Sequence, residues 1–150
     1  MESKQGIQDL PLEQQQEITS CREAVLRAPD DPQAHSQLAK AYLAADKTDL
    51  ALGELEIAAE LQPGSASIHY QLGQIHHYLG QDDLAEAACR KTLACDAKFY
   101  QASLSLAWLL ERRRSLDEAI QVIEESLQHS PDSEDLYGTL GRLYTGWYLS

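Results

Sequence analysis

One leucine recurs four times along this chain at a constant interval of 34 residues. A small residue follows it each time, and an alanine lies thirteen residues beyond the first three copies. The leucines are Leu38, Leu72, Leu106 and Leu140, the small residues Ala39, Gly73, Ala107 and Gly141, and the alanines Ala51, Ala85 and Ala119. Two further columns keep the register, one of small side chains (Ala24, Ala58, Thr92, Ser126) and one mostly of proline (Pro29, Pro63, Ala97, Pro131). Such a chain is a repeat protein, in which each unit buries its apolar face against its neighbours.

Each unit reads as two helices. Over 32–45 the apolar residues lie three and four apart, which is the spacing of an amphipathic helix. Asp31 is a typical N-cap, and Pro32 follows at the first helical position, where its missing N–H does no harm. A second amphipathic helix covers 48–62 and ends before Pro63.

A tight turn joins the two helices of a unit. Asp46 and Gly80 occupy it in successive units, and both residue types tolerate a positive φ there. Arg114 stands at the same place in the next unit and departs from this chemistry. The small columns, such as Ala39 and Ala51, mark where two antiparallel helices cross, because only small side chains allow close approach there.

This pattern resembles the tetratricopeptide repeat, a helix-turn-helix unit of 34 residues. The resemblance implies an all-α fold, an α-solenoid of antiparallel helix pairs wound into a right-handed superhelix. It divides the chain into a flexible N-terminus, 1–10, and a single domain, 11–150, made of a helix at 11–28, repeats 32–65, 66–99 and 100–133, and a final helix at 134–146 with a tail at 147–150.

Adjacent histidines, His76 and His77, are the most conspicuous candidates for a metal or catalytic site. In the repeat, His76 occupies the column of Tyr42 and Leu110, which predicts a core position between paired helices. His77 lies on the next face. Neighbouring side chains on a helix point about 100° apart, so the two rings cannot bind one metal ion together. The sequence therefore predicts no metal site.

No catalytic constellation is present in the sequence. The three cysteines lack CxxC spacing, and Cys21 and Cys89 share a helix-packing column with Leu55 and Ile123, as small core residues would. Phosphate-binding glycine loops and the HExxH pattern are missing. Carboxylate pairs such as Asp82-Asp83 are expected to be solvated charges at helix starts. We predict a protein that is not an enzyme and needs no cofactor.

Charge and hydropathy exclude further classes. The net charge of −12 argues against nucleic acid as a ligand, since phosphate binding needs clustered Lys and Arg. No apolar run is long enough for membrane insertion, and the first residues lack the apolar core of a signal peptide. Cys89 and Cys95 are spaced for different helix faces, so free thiols are expected. These features favour a cytoplasmic protein.

The resemblance assigns ligand binding to a concave groove lined by the first helices of the repeats. The groove residues it predicts are Lys40, Tyr70, Gln71, Gln74, His77, Tyr78, Gln101, Leu104, Ser105, Trp108, Arg112 and Arg142. Their glutamine amides are suited to bonding a peptide backbone, and their aromatic rings to anchoring an interface. Chaperone-binding members hold a C-terminal carboxylate with Lys, Asn and Arg. The matching positions here are Ser36, Lys40, Gln71, Gln101 and Ser105, so we expect chaperone tails not to be the ligand.

The leading hypothesis is a protein-protein interaction module or scaffold that binds a peptide segment or a partner protein in this groove. A small chaperone or assembly factor of a multiprotein complex is one alternative. A substrate-recruiting or regulatory piece of a larger enzyme is another. The tail carries Trp147, Tyr148 and Leu149, more apolar area than a free terminus normally shows. It is expected to fold back over the last helix or to form a homodimer.

Overall fold

The computed structural model describes residues 6–149, and over that range it contains α-helices and no β-strand. Eight helices have their bounds within those residues: α1 (Leu12–Arg27), α2 (Pro32–Ala44), α3 (Thr48–Leu61), α4 (Ala66–Tyr78), α5 (Asp82–Cys95), α6 (Tyr100–Arg112), α7 (Leu116–His129) and α8 (Glu134–Tyr148). Helices α2 and α3, α4 and α5, and α6 and α7 pack as pairs, one pair for each predicted repeat. The prediction of an all-α fold of helix pairs is confirmed.

The turn inside each pair contains one residue in the left-handed region. Asp46 has a φ of 57°, Gly80 of 73° and Arg114 of 61°. The chain direction reverses there, and the next amide donates back to the first helix, as the Gln81 N–H does to the His76 carbonyl at 2.8 Å. The left-handed turns predicted at Asp46 and Gly80 are confirmed. Arg114 keeps the same geometry despite its side chain.

The small columns lie where the paired helices cross. Ala39, Ala51 and Ala107 are completely buried. Gly73 makes the closest approach, because a Cβ added to it would lie 3.2 Å from the Ala88 Cβ. In the unpaired α8, a Cβ on Gly141 would meet nothing within 4 Å. The small residue is therefore needed only where a second helix packs against the first.

The chain divides after Gly64 into two compact units, which we call unit 1 (residues 1–64) and unit 2 (65–150). Unit 1 holds α1 to α3, and unit 2 holds α4 to α8. The core of unit 2 continues into its last helix, since Leu136 and Leu143 of α8 are fully buried beside Leu106 and Ile123. That the two units act as one continuous domain stays a prediction.

The expected flexible N-terminus is corrected in part. Residues 6–8 are helical, and the Ile7 side chain is buried. The Gln15 side chain donates to the Gln8 carbonyl at 3.0 Å and to the Leu10 carbonyl at 2.7 Å, which ties this segment to α1. Residues 1–5 lie outside the described range.

The expected tail is also corrected, because α8 runs to Tyr148 instead of ending at residue 146. Trp147 is therefore helical, and its indole Nε1 donates to Asp117 on α7 at 2.9 Å. Tyr148 and Leu149 are 79% and 84% exposed. Ser150 is outside the described residues. The C-terminal aromatic residues thus extend a helix and do not fold back over it.

His35 joins three segments of unit 1, although nothing in the repeat pattern indicated this role. The side chain is 4% exposed. Its Nδ1 lies 2.6 Å from Glu54 on α3, and its Nε2 lies 2.8 Å from the Pro29 carbonyl before α2. Both partners accept hydrogen bonds, so both ring nitrogens donate and the ring is an imidazolium.

The pKa of His35 follows from this arrangement. Burial lowers the pKa, but the hydrogen bonds to Glu54 and Pro29 and the charges of Glu54 and Asp31 outweigh that effect, so the pKa is raised above its usual value. A charge-assisted pair therefore connects α2 to α3 and to the preceding loop.

The crossing at Gly73 gives a first prediction. Gly73→Val places a branched side chain against Ala88 and should lower the free energy of unfolding by about 1–3 kcal/mol through overpacking. Gly141→Val is the matched control, because it sits in the same column facing open space. Chemical denaturation measures both. Equal losses in the two variants would show that the close crossing does not limit residue size.

The His35 pair gives a second prediction, for pH dependence. A raised folded-state pKa contributes stability that is complete below the unfolded value of about 6.5 and is lost as the pH rises through the folded value. Glu54→Gln should remove about 2 kcal/mol at about pH 6 and flatten this dependence. Denaturation curves between about pH 5.5 and 9 measure it, with exposed Glu56→Gln as the control. A slope that survives in Glu54→Gln would contradict the assignment.

Candidate functional site

A cleft of about 430 Å³ lies in unit 2 among α4, α5 and α6, and we call it the α4–α6 cleft. Its lining combines a buried floor with a partly exposed wall. The floor consists of Gly73, Ala85, Cys89 and Leu109, and the wall of Tyr70, Gln74, His77, Leu104, Ser105 and Trp108. A concave, mostly apolar surface with a few polar groups is the usual form of a binding site.

The depth of the cleft follows from small side chains on its floor. Gly73 has no Cβ, and the nearest atoms to the missing one belong to Ala88, Ala85 and Cys89 of α5. Helix α4 thus packs closely on α5 and leaves room between itself and α6. The column that fixes the helix crossing also shapes the cleft.

Trp108 forms the wall on the α6 side and is held on two sides. The edge of the His77 ring meets it at a centroid distance of 4.7 Å and an angle of 77°. The guanidinium carbon of Arg112 lies 4.7 Å from the indole centroid, a cation–π contact. With 39% of its surface exposed, the indole is fixed in place and still available to a ligand.

Asp82, the first residue of α5, holds both partners of Trp108. One carboxylate oxygen lies 3.3 Å from His77 Nδ1, and the other lies 3.2 Å from an Arg112 nitrogen. The sequence interpretation of Asp82 as a merely solvated charge was wrong. The signal that could have found it is its spacing of five residues from His77 across the turn, which His76 and Gln81 repeat at 2.8 Å.

The prediction for His76 is corrected as well. Its side chain is half-buried at the turn and bonds to Gln81, and so it does not fill the core as Tyr42 does in unit 1. No group of three or more His, Cys, Asp or Glu residues arranged for a metal ion occurs within residues 6–149.

The structure brings half of the predicted groove residues together. Tyr70, Gln74, His77, Leu104, Ser105 and Trp108 line the cleft. Arg112 stacks on Trp108 beside it. The remaining predicted residues do not line it. Tyr78 and Gln101 are exposed, Gln71 donates to Ser67 at 3.3 Å, Arg142 pairs with Glu111, and Lys40 is exposed in unit 1.

Cations predicted for the groove are engaged within the protein. Arg112 pairs with Asp82, and Arg142 pairs with Glu111 across α6 and α8. Exposed pairs of this kind have little net charge to offer a ligand. Apolar contact with the floor and with Trp108 therefore dominates what the cleft offers.

Cys89 is the one thiol on the cleft floor. It is 3% exposed, and burial together with the charge of Glu86 raises its pKa to about 11. At neutral pH the group is a neutral thiol, which is a poor nucleophile. The cleft floor is thus suited to contact and not to covalent chemistry.

Comparisons with known proteins agree with this architecture. Two sequence models, both of the tetratricopeptide repeat (TPR), match residues 36–98 and residues 100–143. Over 97 residues, 65% of this chain, the sequence is 29% identical to tetratricopeptide repeat protein 21A of Mus musculus. The chain spans 7% of the length of that relative.

Solved structures show the same fold. The crystal structure of MamA matches with a TM-score of 0.76 and 21% identity, over 88% of this chain and 77% of that one. TTC0263, a thermophilic TPR protein of Thermus thermophilus, has a TM-score of 0.70, 25% identity, and coverage of 85% and 71%. The first TPR of Spaghetti (RPAP3), bound to the HSP90 peptide SRMEEVD, has a TM-score of 0.68, 15% identity, and coverage of 78% and 95%.

The state of Cys89 gives a third prediction. At pH 8 a thiol with a pKa of about 11 is ionised to about one part in a thousand. A disulfide reagent should therefore label the exposed Cys95 long before Cys89, as followed by mass spectrometry of the peptides. In denaturant all three cysteines should react. Labelling of Cys89 in the folded protein as fast as Cys95 would contradict its burial and raised pKa.

Proposed function

The chain belongs to the tetratricopeptide repeat family, and from that premise we propose that it is a non-catalytic interaction module. Its ligand is a peptide segment of a partner protein, bound in the α4–α6 cleft. Apolar side chains of the segment enter the cleft, and its backbone runs along the first helices.

The fixed position of Trp108 is the observation that carries this proposal. His77 and Arg112 contact the indole from two sides, and Asp82 fixes both of them. A side chain that is already ordered loses little conformational entropy on binding. Tryptophan is also among the residues that contribute most to interface affinity. The cleft is thus prepared for a ligand before the ligand arrives.

Polar wall residues suit a peptide backbone. Gln74 and Ser105 lie in the wall beside the apolar floor. An amide and a hydroxyl each donate and accept hydrogen bonds, so they can pair with both backbone groups of a peptide residue. Wall residues of this type favour an extended or short helical segment that presents one or two apolar side chains.

Charge sets the rest of the ligand. The nearby cation, Arg112, is neutralised by Asp82, so the cleft does not demand an acidic partner. A net charge of −12 on the chain attracts basic proteins to many places on its surface and gives the cleft no advantage for them. We therefore propose a segment that is apolar at the anchor and neutral to acidic elsewhere.

The ligand differs from that of the RPAP3 domain, whose structure holds an acidic HSP90 peptide. Of the five positions expected for a carboxylate clamp, only Lys40 is basic here. Ser36 is buried, and Ser105 lines the cleft. A similar fold therefore presents different recognition chemistry. Both an assembly factor with one client and a recruiting piece of a larger enzyme would use the same cleft, and the identity of the bound protein distinguishes them.

A fourth prediction tests the cleft. Peptides selected against the protein from a random display library should share an apolar anchor, and Trp108→Ala should weaken their binding at least tenfold, about 1.4 kcal/mol, in titration calorimetry. Tyr78→Ala is the matched control, because Tyr78 is 71% exposed and does not line the cleft. SRMEEVD should not bind. Undiminished binding of the selected peptides by folded Trp108→Ala would place the site elsewhere.

A further inference from the structure

A second cavity in unit 2 shares no lining residue with the α4–α6 cleft, and we call it the Ser103 cavity. Its volume is about 300 Å³, and α5, α6 and α7 enclose it. The lining includes Arg90, Ala97, Ser103, Val122, Ser126 and His129. Ser103 is 1% exposed and Ser126 is 4% exposed, so the cavity reaches into the core.

The repeat register explains why this cavity exists. Ser103 lies two repeats after His35 in the same column, at 35 + 34 + 34. The two groups that bond the His35 ring, the Pro29 carbonyl and the Glu54 carboxylate, belong to columns occupied here by Ala97 and Val122. Both of these residues line the cavity. The third repeat thus keeps the surroundings of an aromatic ring and lacks the ring.

Ser126 adds a polar group at the cavity that has no partner. Its Oγ is buried and makes no hydrogen bond within the described residues. Thr92, one repeat earlier in the same column, donates its hydroxyl to the Ala88 carbonyl at 2.9 Å. In unit 1 the column holds Ala58, which has no hydroxyl. An unsatisfied buried hydroxyl costs stability, so Ser126 is better explained by a bond to something that enters the cavity.

We propose that the Ser103 cavity receives one aromatic ring carrying a single hydrogen-bonding group, the side chain of a tyrosine on a partner protein. The tyrosine hydroxyl bonds to Ser126 Oγ, and the ring occupies the space that His35 fills in unit 1. This contact lies apart from the α4–α6 cleft and goes beyond the proposed function.

Size and polarity select a phenol over other rings. A cavity of half this volume holds benzene in other proteins, at about 150 Å³. Val122 replaces the carboxylate that pairs with the imidazolium in unit 1, so a cationic ring has lost its counter-charge. A neutral ring with one hydroxyl matches an apolar wall and one hydroxyl partner.

The surroundings of the opening favour a protein as the source of the ring. Arg90, Glu125 and His129 line the cavity and are exposed to solvent. They offer donors and acceptors for the backbone on either side of an inserted side chain. Arg90 pairs with Glu86 and Glu118, so the opening does not select a strongly charged ligand.

The test titrates the full chain with small probes and follows backbone amide resonances by NMR. The probes are p-cresol, N-acetyl-tyrosinamide and toluene. The expected result is saturable binding of p-cresol and N-acetyl-tyrosinamide, with toluene at least fivefold weaker. Ser126→Ala should weaken p-cresol at least fivefold and leave toluene unchanged. Ser103→His, which restores the ring of unit 1, should abolish binding, while Ser103→Ala leaves the cavity open and should keep it.

Each other outcome overturns a defined part of the proposal. Equal p-cresol affinity in wild-type and Ser103→His protein would place the probe outside the cavity. Unchanged affinity in Ser126→Ala would remove the hydroxyl from recognition. Binding of p-cresol without N-acetyl-tyrosinamide would show that a peptide cannot reach the cavity and would overturn the protein source. If Ser103→His fails to fold, the comparison of wild-type, Ser126→Ala and Ser103→Ala still decides.

Discussion

The close crossing of two helices is the constraint on which the rest of this structure depends. Apolar helices attract one another without direction, and the small residue at the crossing is what sets the distance between their axes. In unit 2 that residue is Gly73, packed against Ala85, Ala88 and Cys89. The same contact that stabilises the pair also leaves the floor of the α4–α6 cleft low. Stability and the shape of the binding surface therefore have one origin.

Much of the fold could be predicted from the sequence because the repeat register carries its own internal check. The leucine, alanine and proline columns had to agree with one another, and the turn residues Asp46 and Gly80 had to lie between them. Errors appeared where a repeat is incomplete. Helix α8 extends to Tyr148 because Trp147 finds Asp117 on α7, a contact between helices that periodicity within one helix does not contain.

The candidate cleft could be predicted less fully, for a physical reason. A helical pattern indicates which face of α4 or α6 a residue occupies, and half of the predicted groove residues do line one cleft. The pattern says nothing about hydrogen bonds that span a turn. Asp82 therefore looked like a solvated helix start, although it positions His77 and Arg112 around Trp108. His76 likewise bonds at the turn instead of filling the core.

The column that contains His35 and Ser103 has a wider consequence. In one repeat the ring belongs to the chain itself, and its bonds contribute to folding. Two repeats later a serine stands in that place, so the free energy that such a ring supplies is no longer used internally. A single substitution can thus convert a structural contact into a receptor while leaving the backbone unchanged. Repeat architecture makes this exchange safe, because the neighbouring units keep their own contacts and the loss stays local.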